Sequence, residues 1–331
     1  MAFPSDKTPA LTGLFGYPVR HTISPAIHHA AFRARGMDWI YLAFAVPPVK
    51  LRAALLGCRA LGFRGLNLTI PHKVAAIPFL SGLSREARLI GAVNTVVFSG
   101  GRLVGHNTDG RGFVRALQEE KGLSLKGRTV FLAGAGGAGR AVAMQAALEG
   151  ASAIAIADPI RPPASLLAAQ INRNVRRPSS VSVGRVPPRG GILPGQGTGT
   201  TPQSQRMLAW AIKDGSAEWE TALAEADVAV NATPLGMKTD DPLPFPPDLL
   251  PRSSLVVDLV YNPPETNLLT AARKLTRDGM NGRGMLVHQA ALSWELWTGE
   301  KAPLEVMRKA AQRALEDRQS VLSPEYRAKS H

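Results

Sequence analysis

The stretch Gly134-Ala-Gly-Gly-Ala-Gly139 restricts what this chain can fold into more than any other. Thr129-Val-Phe-Leu-Ala133 stands directly before it, a largely apolar run with the length of a buried strand. An alanine-rich segment to Glu149 follows and reads as a helix. A strand that becomes a helix through three glycines opens a βαβ unit of a parallel sheet. Gly134 permits the tight turn, Gly136 leaves room for a ligand to approach the backbone, and Gly139 lets the helix lie close to the strand. The first turn of such a helix offers free N–H groups and the positive end of its dipole, which suits a pyrophosphate. Glycines alone also make turns that bind nothing. The strand before and the helix after identify Gly134, Ala135, Gly136, Gly137, Ala138 and Gly139 as a dinucleotide-binding turn.

The next strand, Ala153 to Ala157, runs into Asp158, 24 positions after Gly134. A carboxylate there accepts hydrogen bonds from a ribose 2′-OH and repels a 2′-phosphate, which favours NAD over NADP. Arg161 lies three residues on and competes with that reading, because it can reach a 2′-phosphate. Asp158 before Pro159 is also a good turn former. Val228–Val230 and Leu255–Asp258 read as later strands, and two helices, about 285–298 and 303–318, close the chain.

The first hundred residues alternate in the same way. Strands are expected at Leu11–Tyr17, 39–46 and 65–68, and helices from Ser24 to about Arg35 and over 48–61. Ser24-Pro25 has the form of an N-cap followed by proline at the first helical position. Ser99-Gly100-Gly101 joins two strands as a hairpin, and a helix runs from Thr108 to about Lys121. Residues 10–107 thus form one α/β unit. Its carboxyl-end loop after 65–68 carries Asn67-Leu-Thr69-Ile-Pro71-His-Lys73, an amide, a hydroxyl and an amine. Open α/β sheets bind ligands at that end. The mix suits a small polyhydroxylated molecule better than a metal or a nucleic acid, although a polar loop with a surface lysine fits this segment equally well. Asp109 taken alone is a first-turn helix charge. Beside Lys73 it makes an acid–amine pair able to manage the proton of a hydride transfer.

Composition excludes other classes. A chain of 331 residues accommodates two domains. No run of about 18 apolar residues is present, so no membrane span is expected. The first ten residues lack a signal-peptide pattern, and a cytoplasmic protein is expected. Cys58, the single cysteine, excludes an internal disulfide and a cysteine-based metal site, and no metal is expected. The net charge of +14 is spread along the chain without a nucleic-acid motif. It reads as background composition that also draws in anionic ligands. Residues 172–206 hold six arginines, no acidic residue and few apolar anchors. They read as a disordered insertion, with an arginine-rich contact site as the other reading.

Several segments together carry a family resemblance. Gly16-Tyr-Pro18-Val-Arg20-His21-Thr22-Ile-Ser24-Pro25, the Asn67–Lys73 segment, Gly91-Ala-Val-Asn94-Thr95, Asn107-Thr108-Asp109 and the glycine turn occur in this order. Asn231-Ala-Thr233-Pro-Leu-Gly236-Met237, Asp258-Leu-Val-Tyr261-Asn262-Pro263 and Gly284-Met285-Leu286-Val287-His288-Gln289-Ala290 follow. In combination they resemble the shikimate dehydrogenase family, including its quinate/shikimate branch, from about Leu11 to about Leu315 apart from the insertion.

The resemblance implies an N-terminal α/β substrate-binding domain plus a C-terminal Rossmann-type dinucleotide-binding domain. The boundaries would be a tail at 1–10, the substrate domain at 11–107, a linking helix at 108–125, the Rossmann domain at 126–284, closing helices at 285–318 packing back towards the first domain, and a tail at 319–331. The implied activity is reversible NAD(P)-dependent reduction of 3-dehydroshikimate to shikimate. An NAD-preferring quinate/shikimate dehydrogenase of quinate catabolism is the alternative, and a non-catalytic ligand-binding homologue a more remote one.

The resemblance also assigns residues. Lys73 and Asp109 would be the catalytic pair. Thr22 and Ser24 would hold the substrate carboxylate, with Tyr261 near them, and Thr69, Asn94 and Gln289 the ring hydroxyls. Without the family, Ser24 is a helix cap, Asn94 a strand-end turn residue and Gln289 an exposed helix position. Asn231, Thr233 and Met237 would line the nicotinamide side, with Gly284 and Met285 also at the cofactor and Met285 packing on the ring. His21 would be structural, and Asn67 would only shape its turn. Two residues depart from the usual pattern: Thr22 replaces a serine, and Asp158 stands where NADP-using members begin an Asn-Arg-Thr stretch. NADP is the family default, whereas Asp158 leans towards NAD. The expected partners are a small-molecule substrate, no nucleic acid and no membrane, in a monomer or homodimer.

Overall fold

The computed structural model describes residues 8–20, 22–159, 161–175 and 208–322. Their contacts divide into two units, each organised on a six-stranded sheet. The first contains the described residues up to Gly122, Arg140–Val142 and those from Gly282 onward. The second contains the described residues of Leu123–Gly139 and Ala143–Asn281.

The first unit runs β1 (Ala10–Gly16), α1 (Ser24–Ala34), β2 (Trp39–Ala45), α2 (Leu51–Ala60), β3 (Gly65–Leu68), α3 (His72–Ala75), β4 (Gly82–Leu83) and α4 (Arg85–Ile90). It continues with β5 (Thr95–Ser99), β6 (Arg102–His106) and α5 (Asp109–Lys121). The sheet order is β2-β1-β3-β5-β6-β4, with β5 antiparallel to both neighbours. Gly100 and Gly101 turn the β5–β6 hairpin with φ of +55° and +74°, the left-handed pair a two-residue hairpin requires. Leu51, Leu55 and Cys58 of α2 pack with Leu66, Leu68, Val96, Phe98 and Leu103 of the sheet into one core.

Two further helices of this unit, α10 (Arg283–Thr298) and α11 (Leu304–Leu322), come from the end of the chain. Trp297 of α10 donates Nε1–H to the Val96 carbonyl at 3.1 Å. Its indole lies so close to β3 that a Cβ at Gly65 would strike it. Trp294 is fully buried nearby on the same helix. Losing an aromatic ring of this kind costs about 3–5 kcal/mol.

His28 of α1 is fully buried, stacked on Tyr41 at 4.3 Å and 11°. Neither ring nitrogen has a hydrogen-bond partner among the described residues. Burial, and then the charge of His29, lowers its pKa to about 3. The unfolded chain therefore binds one more proton than the folded one between the ordinary value of 6.5 and about 3. Stability is expected to fall by about 1.4 kcal/mol per pH unit on acidification through that window from this group alone. Urea unfolding of wild type and His28→Leu at pH 7, 6 and 5 checks this. The variant should show a flatter dependence, and equal slopes would refute it.

The second unit is a parallel doubly wound sheet, built from β7 (Thr129–Ala133), α6 (Gly137–Leu148), β8 (Ala153–Ala157), α7 (Arg161–Asn174), β9 (Ala209–Ile212), α8 (Ala217–Ala224), β10 (Val228–Asn231), β11 (Leu255–Asp258), α9 (Asn267–Lys274) and β12 (Asp278–Asn281). The order β12-β11-β10-β7-β8-β9 places successive connections on opposite sides of β7. The resulting switch point lies at the carboxyl end of β7, where the glycine turn begins. Phe131, Ala155, Ala229 and Val256 of the strands pack with Leu223, Phe245, Leu268 and Leu269 in one core.

Two sequence expectations are corrected. Residues 172–174 belong to α7 rather than to an insertion. The buried stripe Ala164, Leu167, Ala168 and Ile171 carries the helix that far. Asn172 then fixes its end, donating to the Ala209 carbonyl at 2.7 Å and accepting from the Ala209 N–H at 3.0 Å. The rest of the 172–206 reading, beyond Val175, lies outside the described residues. Second, Ser24 does not cap α1. The cap position is Ile23 and no side chain caps it, because the hydroxyl reaching a backbone N–H is that of Thr22, which accepts from Ser24 at 3.2 Å.

Candidate active site

In the first unit, β3 ends at Leu68 and α3 begins at His72, which puts Thr69 and Lys73 beside the carboxyl end of the sheet. His72 anchors this turn through Nε2–H donated to the Val46 carbonyl at 2.8 Å. Thr69 N–H donates to the Phe15 carbonyl at 2.9 Å, and the Thr69 methyl group lies where a Cβ at Gly16 would clash. These contacts leave Lys73 pointing at Asp109, the first residue of α5. Lys73 Nζ donates to Asp109 Oδ2 at 2.6 Å, with the side chains only 15% and 5% exposed. A charge-assisted bond this short and shielded holds the amine in one place.

Asn94 completes the arrangement. Its Nδ2 lies 2.8 Å from Asp109 Oδ1, 2.8 Å from Thr108 Oγ1 and 3.2 Å from Gln289 Oε1. Its Oδ1 accepts from the Thr108 N–H at 2.8 Å. The structure thus gathers Lys73, Asp109, Asn94 and Gln289 into one polar cluster. Gln289 is half-buried on α10, beside His288, whose Nε2 meets Glu119 Oε2 at 2.5 Å. Arg308 of α11 meets the other oxygen of Glu119, at 2.5 Å, and so ties α11 to α5 and α10. Thr22 and Ser24 form a hydroxyl pair at the start of α1, Thr22 Oγ1 donating to Ser24 Oγ at 3.1 Å. His21 lies outside the described residues.

Asn67 does more than shape its turn. It is buried, accepts from the Tyr41 hydroxyl at 2.8 Å, and its Nδ2 reaches the Asn94 carbonyl, Thr95 Oγ1 and Ser293 Oγ at 3.0–3.2 Å. Ser293 in turn meets Thr95 Oγ1 at 2.7 Å and Thr108 Oγ1 at 3.2 Å. Burial raises the pKa of Tyr41, so its phenol stays protonated and donates. A buried polar network whose members are all paired fixes its geometry well. Sequence reasoning missed Tyr41, Thr95 and Ser293. The available signal was the single serine of α10, four residues after Gln289 and so on the same helical face.

The second unit carries the glycine turn. Gly134 has a φ of +98°, and a Cβ there would press on the Ala232 backbone. At Gly139 a Cβ would collide with the Gly134 carbonyl oxygen, whereas at Gly136 it would meet open space. Gly134 and Gly139 therefore meet the turn and the close packing expected of them, and Gly136 leaves its side of the turn open. Helix α6 starts at Gly137 with no side-chain cap and no acidic residue in its first turn. Its leading N–H groups form a cradle for a phosphate, so the residues present fit a dinucleotide. Asp158 Oδ2 accepts from the Ala135 N–H at 2.7 Å, fastening the turn to the end of β8. Asp214 follows β9, the neighbouring strand, and its pKa is raised by burial and then by the charge of Asp158. The Arg161 side chain lies outside the described residues.

Asn231 is fully buried, bonding the Leu235 carbonyl, Asp258 Oδ1 and the Thr233 N–H and hydroxyl. It holds the 231–236 loop in shape. Asp258 accepts three hydrogen bonds, from Asn231, the Val260 N–H and Thr266. Met237 is 54% exposed, whereas Met285 is buried on α10, one residue after Gly284. A Cβ at Gly284 would strike Glu120 and Ala116 of α5, so this glycine sets a close helix–helix approach. Tyr261 follows β11 in the second unit and is half-buried.

Comparison with known proteins agrees with this geometry. The family model for the shikimate dehydrogenase substrate binding domain matches residues 14–96, and that for the shikimate 5′-dehydrogenase C-terminal domain matches 282–312. Over 307 residues the chain is 43% identical to a shikimate dehydrogenase (NADP(+)) of Methanopyrus kandleri, covering 92% of this chain and 96% of the relative. The chain belongs to the shikimate dehydrogenase family. Among solved members, it resembles the shikimate 5-dehydrogenase of Listeria monocytogenes in complex with shikimate and NAD, at 32% identity, a TM-score of 0.77 and coverage of 93% and 98%. It also resembles a quinate dehydrogenase from Corynebacterium glutamicum in complex with NAD, at 32% identity, a TM-score of 0.76 and coverage of 92% and 99%. The substrate domain and Rossmann-type domain expected from the sequence are the architecture of this family.

Proposed function

We propose that this protein catalyses the reversible reduction of 3-dehydroshikimate to shikimate with NADP, a step of aromatic amino-acid biosynthesis. The observation that carries the reading is the shielded 2.6 Å pair of Lys73 and Asp109, with Asn94 on the other Asp109 oxygen. When bound, the cofactor supplies a hydride to the ring carbonyl carbon. Lys73, as an ammonium ion, delivers a proton to the carbonyl oxygen while negative charge gathers there. Asp109 keeps Nζ aimed and takes a hydrogen bond from a ring hydroxyl. In the reverse direction neutral Lys73 accepts the hydroxyl proton. Thr69, Asn94 and Gln289 bond ring hydroxyls, and Thr22, Ser24 and Tyr261 receive the carboxylate. Met285, Asn231, Thr233 and Met237 stand on the nicotinamide side, and residues 134–139 hold the pyrophosphate.

A second reading is an NAD-preferring quinate/shikimate dehydrogenase. It is favoured by Asp158 and Asp214 at the ribose end of the cofactor turn and by the extra methyl of Thr22. Steady-state kinetics with shikimate and quinate, each with NADP and NAD, decides between the two. The first reading expects the highest kcat/KM for shikimate with NADP, and the second expects NAD to win and quinate to be turned over. Absence of turnover in all four combinations would overturn both and leave a ligand-binding homologue.

A further inference from the structure

We propose that Arg318, near the end of α11, is a positioning residue for recognition of the substrate carboxylate. The inference rests on the reading of Thr22 and Ser24 as the hydroxyls that receive that carboxylate. Arg318 Nη2 donates to the Thr22 carbonyl at 2.7 Å and lies 3.4 Å from the Arg20 carbonyl. One nitrogen thus spans two carbonyls of the segment that leads into α1. Thr22 is held from its other side by its own N–H, donated to Val19 at 3.2 Å. With both backbone groups bonded, the Thr22 backbone is held in place under its hydroxyl. Its hydroxyl accepts the Ser24 N–H and donates to Ser24 Oγ, so the two hydroxyls lie side by side.

Electrostatics add to the geometry. The first turn of α1 has no acidic residue, and its dipole presents a positive end beside the Thr22–Ser24 pair. A guanidinium polarises the carbonyl it bonds and brings a second positive charge to the same place. Nearly 300 residues separate the two partners in sequence, so no local pattern reveals the contact. The catalytic pair lies elsewhere in the unit, Lys73 and Asp109 bonding one another. A defect at Arg318 should therefore appear in substrate binding and not in the chemical step.

The test is a double-mutant cycle on the full chain with shikimate and the preferred cofactor. Arg318→Gln is expected to raise the KM for shikimate about tenfold, with kcat and the KM for the cofactor within about twofold of wild type. Arg318→Lys, which keeps the charge and one donor, should recover most of the loss. Thr22→Ala should raise the same KM, and adding Arg318→Gln to it should cost much less than tenfold more, because Arg318 acts through Thr22. If Arg318→Gln does not fold, Arg318→Met, which keeps the aliphatic stem and removes every donor, enters the cycle instead, with the same non-additivity expected. A wild-type KM for Arg318→Gln, or full additivity in the cycle, overturns the inference while leaving the site reading intact. A wild-type KM in both Thr22→Ala and Ser24→Ala overturns the site reading, and this inference with it.

Discussion

Lys73→Ala is expected to lose about 10²–10⁴ in kcat for shikimate oxidation while the cofactor dissociation constant stays within about twofold. The size of the loss follows from the shell around Nζ. Among the described residues no other amine or imidazole is bonded to Asp109, so nothing replaces the missing proton donor. Asp109 is 5% exposed and would keep Asn94 as its side-chain partner, which secures its position but cannot deliver a proton to a developing alkoxide. On the proposed reading, residues 134–139 in the other unit set cofactor affinity, which should not respond. Single-turnover kinetics and fluorescence titration with NADPH measure the two quantities, and near-normal turnover would remove Lys73 from the mechanism.

Asp158→Asn is expected to shift the ratio of kcat/KM for NADP over NAD by about ten- to a hundredfold towards NADP. An asparagine oxygen still accepts the Ala135 N–H, so the glycine turn keeps its fastening. On the NAD-preferring reading, what disappears is one negative charge facing a 2′-phosphate, worth about 1.4–2.7 kcal/mol at an intermediate dielectric. Asp214 remains, its pKa raised first by burial and secondarily by the charge of Asp158. Asp158→Asn should therefore also lower the pKa of Asp214 towards its ordinary value. An unchanged cofactor ratio would mean that Asp158 acts only as the fastener of the turn.

The glycine turn was legible in the sequence because it depends on residue type at short range, and the Lys73–Asp109 pair, 36 positions apart, because each residue stands in a segment of the family pattern. Gly134 and Gly139 each meet a backbone demand that no other residue satisfies, and a strand and a helix flank the turn. The Asn67 network was not legible. Its partners come from positions 41, 94, 95 and 293, and an amide satisfied by three separate segments looks the same in sequence as one facing water. The edge strands β9 and β12 escaped for a simpler reason. Each has four residues, and β12 buries only Met280, so no period emerges. Ser24 misled because Ser-Pro is a common helix start, whereas here Thr22 supplies the nearest hydroxyl oxygen to the backbone.

The docking of α10 and α11 onto the first sheet has a consequence for the order in which the molecule is made. A ribosome releases Lys73, Asn94 and Asp109 early, but Gln289 and Ser293 only after the whole second unit has been synthesised. Until then Asn94 and Thr108 lack their α10 partners, and β3 waits without the indole that covers Gly65. The nascent first half is therefore an incomplete catalyst with an open apolar face. Its completion coincides with the arrival of α10 and α11, so assembly of this polar shell waits for synthesis of the second unit.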